Sequence, residues 1–209
     1  MRILVFGASG ATGKLVVQQA LAANHDVTAF VRDPAKLTVT HANLRIVQGD
    51  VGDAARVNGA VANQDAVIST LGVATPLKHD PVVVRGVRNV ITSMQQQGVR
   101  RFIYLSFIGV EESRSAAGFV LRHIAQLPLR REIADHESKE ALVKESTLDW
   151  TIVRAPKLTN AARTGKFRSG VDIVATSMLP TLPRADVADF LVSQASDATF
   201  VKKAARLLP

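Results

Sequence analysis

The chain has no cysteine. That excludes disulfide frameworks, thiolate metal sites and a cysteine nucleophile, and it suits a reducing compartment, which points to the cytoplasm. Aromatic residues are scarce: one tryptophan, one tyrosine and eight phenylalanines lie mostly within apolar runs, leaving no platform on which nucleic-acid bases could stack. Five scattered histidines form no HExxH pair or comparable ligand spacing, so no metal is implied. No apolar run approaches the roughly 18 residues of a membrane span. The opening MRILVFG has five apolar residues before a glycine, too few for a signal-peptide core. Acid is in deficit, with 18 Asp and Glu against 26 Lys and Arg, a net charge of +8.

What remains is the composition of a compact fold: 209 residues, 47% hydrophobic and 21% charged, enough to build a core without a covalent staple. One domain spanning residues 1–209 is expected, with no repeat or low-complexity tract. Short β-branched runs alternate with amphipathic stretches. The runs read as buried strands are Arg2 to Phe6, Asp26 to Val31, Leu44 to Gln48, Asp65 to Thr70, Arg100 to Leu105 and Trp150 to Arg154. Thr12 to Ala23 reads as a helix with Leu15, Val16, Gln19, Ala20 and Ala23 on one face. Asp80 and Pro81 supply an N-cap and first-turn proline for a helix towards Gln97, which Gly98 stops. This alternation predicts an α/β architecture, a Rossmann-type doubly wound parallel sheet with ligands at the carboxyl ends of its strands. Beyond residue 106 the rhythm loosens. Helices are expected over Arg130 to Ser146 and Arg184 to Gln194, a last strand over Ala204 to Leu208, and a small C-terminal cap that draws acceptor-pocket elements mainly from 107–184.

Directly after the first strand comes GASGATG, with Gly7, Gly10 and Gly13 on the turn that opens the first helix. Glycines there permit a tight turn and close backbone approach, and the helix amino terminus offers free amides to a pyrophosphate. The loop residues Gly7, Ser9, Gly10, Ala11, Thr12 and Gly13 are therefore candidate cofactor contacts, with amides near Gly10 and Thr12 on the diphosphate. A turn that merely packs helix on strand is the plainer alternative. Lys14 does not make a Walker loop, because Leu15 follows it and only two residues separate the glycines. Where an NAD-binding fold places an acid for the ribose hydroxyls, this chain has Arg32, with Lys36 one turn later. Guanidinium suits the 2′-phosphate of NADP, so NADPH is expected over NADH. Asp33, next to Pro34, reads as the cap of a short turn rather than as a ribose ligand.

GASGATG, VRDPAK, GDV at Gly49 to Val51, TLG at Thr70 to Gly72, GVRRFIYLS and LDWTIVRAPKLT together resemble the atypical short-chain dehydrogenase/reductase group that contains NmrA-like proteins and biliverdin reductase B, a flavin reductase. The similarity spans essentially the whole chain. It implies that Asp50 and Val51 hold the adenine, that Leu71 and Gly72 line the cofactor ribose, and that Ser106 with Ala155, Pro156, Lys157 and Leu158 borders the nicotinamide. Asp50 also reads as a plain turn residue after Gly49.

The Tyr and Lys pair that the wider superfamily uses for proton transfer is missing. The only tyrosine, Tyr104, falls inside a strand, and the helix that would carry the pair reads DHESKEAL. Ser106 and His136 are left as the candidate catalytic residues; His136 matches a DH pair in the resembling group, although a salt link or a helix-terminus contact is the commoner role for such a histidine. Phe107 stands where a second serine is usual. A site so depleted suits hydride transfer to a conjugated acceptor such as a flavin, quinone or bilin, with a non-catalytic NADP-binding redox sensor of NmrA type as the alternative. A sugar or isoprenoid epimerase is disfavoured, because it leans on the missing pair. Six basic residues, Arg154, Lys157, Arg163, Lys166, Arg168 and Arg184, face one acid, Asp172, and would suit an anionic acceptor; solubilising charge is the default, and Lys78 and His79 are comparable. The apolar stretch with Phe119, Val120, Leu121, Ile124 and Leu127 reads as core packing before it reads as a docking surface. The expected partner is a small molecule, with neither nucleic acid nor membrane.

Overall fold

The computed structural model describes residues 1–72, 81–119 and 126–209. In chain order the elements are β1 (Arg2–Phe6), α1 (Ala11–Ala22), β2 (Asp26–Val31), β3 (Leu44–Gln48), α2 (Ala54–Val61), β4 (Ala66–Ser69), α3 (Pro81–Gln97), β5 (Arg101–Phe107), α4 (Gln126–Glu145), β6 (Asp149–Ala155), β7 (Lys157–Thr159), β8 (Arg168–Gly170), β9 (Thr181–Pro183), α5 (Arg184–Ser193) and β10 (Lys203–Leu208). Short 3-10 turns lie at Pro34–Lys36 and Glu111–Ser115.

One eight-stranded sheet runs β3-β2-β1-β4-β5-β6-β10-β8, parallel except where β8 pairs antiparallel with β10. This is the expected Rossmann-type layout. Its strand order reverses between β1 and β4, where Phe6 lies beside Ser69, and that crevice is where such sheets take their ligands. The central strands are apolar on both sides because both faces are covered: Ile3, Leu4, Val5 and Phe6 are fully buried. On one face α1 and α5 pack through Val16, Val17, Ala20, Val187, Ala188 and Leu191. On the other, α2, α3 and α4 cover Leu4, Phe6, Phe102, Tyr104 and Ile152.

Several expectations need correction. β3 is no buried strand: Arg45, Ile46 and Gln48 are exposed, since it is the sheet's outer edge with a neighbour on one side only. On α1, Val17 and Leu21 turn inward and Ala23 is exposed, because the helix is wedged between the sheet and α5 and buries a wider stripe. The region expected to form only a cap gives one strand, β8, to the main sheet; β7 and β9 pair separately as a two-stranded parallel ladder. α4 starts four residues before the expected Arg130. The expected cap Asp80, the cations Lys78 and His79, and Val120, Leu121 and Ile124 lie outside the described residues. Phe119 is 54% exposed, so core packing does not hold for it.

Candidate functional site

The glycine loop is shaped by contacts that only glycine allows. Gly7 has φ +76°, and a Cβ there would lie 2.8 Å from the Thr70 carbonyl; at Gly13 it would lie 2.1 Å from the Gly7 carbonyl oxygen. Thr70 Oγ1 donates to the carbonyls of Phe6 (3.0 Å) and Gly7 (3.3 Å), tying the loop to the end of β4 across the strand-order reversal. Gly10 is the N-cap of α1 and has no side-chain cap. Its own amide donates to Gly7 O at 2.9 Å, so it is spent inside the loop, which corrects the expectation that it grips a diphosphate. The amides of Ala11, Thr12 and Gly13 have no protein acceptor among the described residues. Three unmatched N–H groups at the positive end of a helix fit a diphosphate, and the space that a Cβ would fill at Gly7 and Gly13 is closed to any larger residue.

Arg32 follows β2 and is exposed, with no ion-pair partner among the described residues. Lys36 is not a free second cation, since Asp33 Oδ2 lies 3.8 Å from its Nζ. Asp33 caps the turn by accepting from the Ala35 amide at 3.1 Å. Asp50 takes the turn role too, its Oδ1 accepting from Gly52 N at 2.7 Å, on an exposed loop. Asn89 of α3 fixes that loop by donating to Val51 O at 2.8 Å. Leu71 packs against the core below, Gly72 is exposed, Ala155 and Pro156 are buried, Lys157 is exposed and Leu158 half-buried.

Ser106 is 5% exposed, near the carboxyl end of β5, and its register partner on β6 is Arg154. Its hydroxyl donates to Glu140 Oε1 at 2.6 Å, and His136 Nδ1 lies 3.4 Å from Ser106 Oγ. His136 and Glu140 are one helical turn apart on α4, which is why both reach it. Glu140 accepts from Arg154 Nη2 at 2.6 Å and Nε at 3.1 Å, and Lys144 stands 3.5 Å away. Arg154 also reaches Glu112 (2.5 Å) and Glu111 (3.2 Å), which joins the turn at Glu111–Ser115 to β6. Lys144 pairs with Glu111 as well. Burial works against the Arg154 charge, but the hydrogen bonds and charges of Glu140 and Glu112 outweigh it and raise the guanidinium pKa. Burial likewise works against the Glu112 charge, and the Arg154 hydrogen bond overcomes it, lowering that carboxyl to about 2. Arg154 is therefore neutralised inside the fold and leaves the expected cationic surface. Of the other five cations, Arg163 pairs with Asp189 (2.7 Å), Arg168 donates to the Pro209 and Val174 carbonyls, and Arg184 donates to Asn160; Lys157 and Lys166 have no ion pair among the described residues.

Among the described residues His136 has neither of the roles expected as commonest, a salt link or a helix-terminus contact. It sits beside Ser106 and the Phe107 ring, 6.3 Å between centroids, and burial followed by the charge of Lys139 lowers its pKa to about 3. Tyr104 is fully buried, with no hydrogen-bond partner for its hydroxyl among the described residues; burial, then Glu140 and Asp135, push its pKa far up. Lys139 is buried in an ion pair with Asp135 at 2.5 Å. The sequence reading missed Glu140. The signal was there: an arginine inside an otherwise apolar strand, TIVRA, must be neutralised by a carboxylate, and α4 supplies one four residues after His136. Among the described residues no group of three or more His, Asp or Glu could hold a metal, and no helix is long and apolar enough to cross a membrane.

Comparison with known proteins agrees with this geometry. The family model described as NAD(P)H-binding matches residues 7–198. The (4-alkanoyl-5-oxo-2,5-dihydrofuran-3-yl)methyl phosphate reductase of Streptomyces griseus is 34% identical over 152 residues, covering 73% of this chain and 46% of that protein. An uncharacterized chloroplastic protein of Arabidopsis thaliana is 31% identical over 181 residues, covering 78% and 61%. The chain thus spans less than two thirds of the length of either relative. Among solved structures, ChuY of Escherichia coli O157:H7, described as an anaerobilin reductase, aligns with a TM-score of 0.81 at 24% identity, covering 99% of this chain and 96% of ChuY. The oxidoreductase YlbE of Lactococcus lactis aligns with a TM-score of 0.81 at 23% identity, covering 99% and 90%. A glycine loop against an uncapped helix, at the point where a parallel sheet reverses its order, is thus found with a family match over nearly the whole length: the chain belongs to the NAD(P)H-binding family.

Proposed function

We propose that the protein is a cytoplasmic, NADPH-dependent reductase that passes hydride to a conjugated small molecule such as a flavin, a quinone or a bilin. The observation that carries this reading is that, among the described residues, no acid is available around Ser106. The Tyr104 phenol is sealed in the core, the Ser106 hydroxyl donates its hydrogen bond to Glu140, and His136 is neutral above a pH of about 3. A simple carbonyl turning into an alkoxide would find no proton there, whereas a conjugated ring spreads the arriving electron pair and takes its proton from water.

When bound, the coenzyme supplies the hydride. The chain's own residues bind and orient. The amides of Ala11, Thr12 and Gly13 hold the diphosphate, and Arg32 selects the 2′-phosphate. Asp50 and Val51 take the adenine, Leu71 and Gly72 the ribose, and Ser106 with the Ala155 to Leu158 segment borders the nicotinamide. Lys157 and Lys166, without an ion pair among the described residues, suit an anionic acceptor. Two comparisons support a conjugated substrate: a relative named for reducing a 5-oxo-2,5-dihydrofuran and a fold neighbour described as an anaerobilin reductase.

The lack of an acid also supports a second reading, a non-catalytic NADP-binding sensor. Stopped-flow NADPH oxidation with FMN, riboflavin, menadione and biliverdin separates the two. Turnover of at least one acceptor is expected. NADPH binding without turnover across the panel would overturn the reductase and leave the sensor.

A further inference from the structure

Ser106 has one proton, and the structure shows where it goes. Glu140 receives it at 2.6 Å, a length typical of a hydroxyl donating to a carboxylate. Glu140 cannot return the favour, because its two oxygens also accept from Arg154 Nε and Nη2 and face Lys144, all donors. The Ser106 oxygen is therefore left with lone pairs only. His136 Nδ1, 3.4 Å away, meets an oxygen that has no proton to offer, so it must carry the hydrogen of the neutral ring, leaving Nε2 as a bare acceptor. The low pKa of His136 agrees with a neutral ring.

We infer that Glu140 sets the acceptor class of the site: by accepting the hydrogen bond of the Ser106 hydroxyl it leaves Ser106 and His136 as hydrogen-bond acceptors, so that the site selects a conjugated ring bearing an N–H or O–H donor and rejects rings that present only carbonyl oxygens. The inference rests on the reductase reading and narrows it, favouring flavins and linear tetrapyrroles over quinones. Glu140 is a positioning residue here, acting through Ser106. The preference follows from unmatched lone pairs: a carbonyl oxygen brought against Ser106 meets another acceptor, and both lose their water.

Matched flavins test it. Lumiflavin carries an N3–H donor, and 3-methyllumiflavin replaces it with a methyl group. The wild type should favour lumiflavin in kcat/KM by about tenfold or more, the usual cost of an unmet buried polar group. In Glu140→Gln the oxygen of the new amide should stay with Arg154 and its NH2 should face Ser106, which frees the serine proton and reduces the preference to below about threefold. Ser106→Ala, which leaves Glu140 and Arg154 in place, should abolish it in the same way. Equal rates for the two flavins in the wild type would overturn the inference while leaving the reductase standing. A readout independent of turnover is heteronuclear NMR of the histidine nitrogens. His136 should be the Nδ1–H tautomer in the wild type and shift towards Nε2–H in Glu140→Gln. An Nε2–H tautomer in the wild type would overturn the inference. Should no acceptor be turned over, the reductase reading fails, and the tautomer still decides how the site is polarised.

Discussion

Gly13→Ala is the sharpest test of the coenzyme loop. Alanine is ordinarily the better residue in the first turn of a helix, by about 1 kcal/mol. Here the added Cβ would lie 2.1 Å from Gly7 O and 2.7 Å from Gly7 C, and reaching ordinary contact at 3.4 Å requires the loop and helix to part by about 1.3 Å. Both obstructing atoms are backbone, so no rotamer change relieves them. Overpacking of this kind costs about 1–3 kcal/mol, which cancels the helix gain or exceeds it by up to about 2 kcal/mol and lowers Tm by up to roughly 8 °C. The effect on the ligand should be larger. The displaced element carries the free amides of Ala11, Thr12 and Gly13, and an error of about 1 Å in a positioning group can cost about a hundredfold. Fluorescence titration of NADPH should show a loss of that order. Gly10→Ala is the control: its Cβ would meet only Gly7 O, at 3.2 Å, and its φ of −75° suits any residue, so affinity should fall by less than about fivefold. A Gly13→Ala protein that binds NADPH like the wild type, or a Gly10→Ala protein that fails equally, would refute the assignment of the loop.

Arg32→Ala should weaken NADPH about tenfold or more and leave NADH unchanged, as titration of both coenzymes would show; parallel losses would place the 2′-phosphate elsewhere. The pKa of His136 is lower in the folded chain than the ordinary 6.5, so the folded state resists its protonation. Its contribution is whole above pH 6.5 and is lost as pH falls from there towards about 3. Urea denaturation should therefore show wild type losing ground to His136→Gln only within that window, and parallel profiles would contradict it. Asp186 is buried and accepts from Thr164 N (2.8 Å), Thr164 Oγ1 (2.6 Å) and Gly165 N (2.8 Å). Asp186→Ala should free this segment, giving faster tryptic cleavage after Arg163 and Lys166 in the native protein; an unchanged rate would mean that other contacts hold it.

Much of the sheet was legible because its strands are buried on both faces and therefore read as unbroken β-branched runs; β1 and β2 fall where the pattern places them. β3 has the same composition but lies at the margin, and a run such as LRIV does not reveal whether a neighbour covers it. The glycine loop was legible from spacing, because a strand before it and a helix after it fix the geometry. The fate of the Gly10 amide was not, since it depends on a hydrogen bond three residues back. The cluster around Arg154 was hidden for another reason. Its members come from β5, β6, α4 and the turn at Glu111–Ser115, brought together by register and helix docking that no local pattern records. Read along the chain, Arg154 joins a basic stretch; in the fold it is the centre of a carboxylate cage.

The two margins of the main sheet bear on solubility. Each ends in a short strand with no neighbouring strand on its outer side among the described residues, five residues at β3 and three at β8, the kind of edge on which other molecules can stack. Exposed Arg45 and Gln48 guard the first, and Arg168 guards the second, putting charge or polarity where a foreign strand would have to dock. The same basic excess that raises the isoelectric point thus puts a gatekeeper charge at both ends of the sheet, which disfavours the docking of a foreign strand.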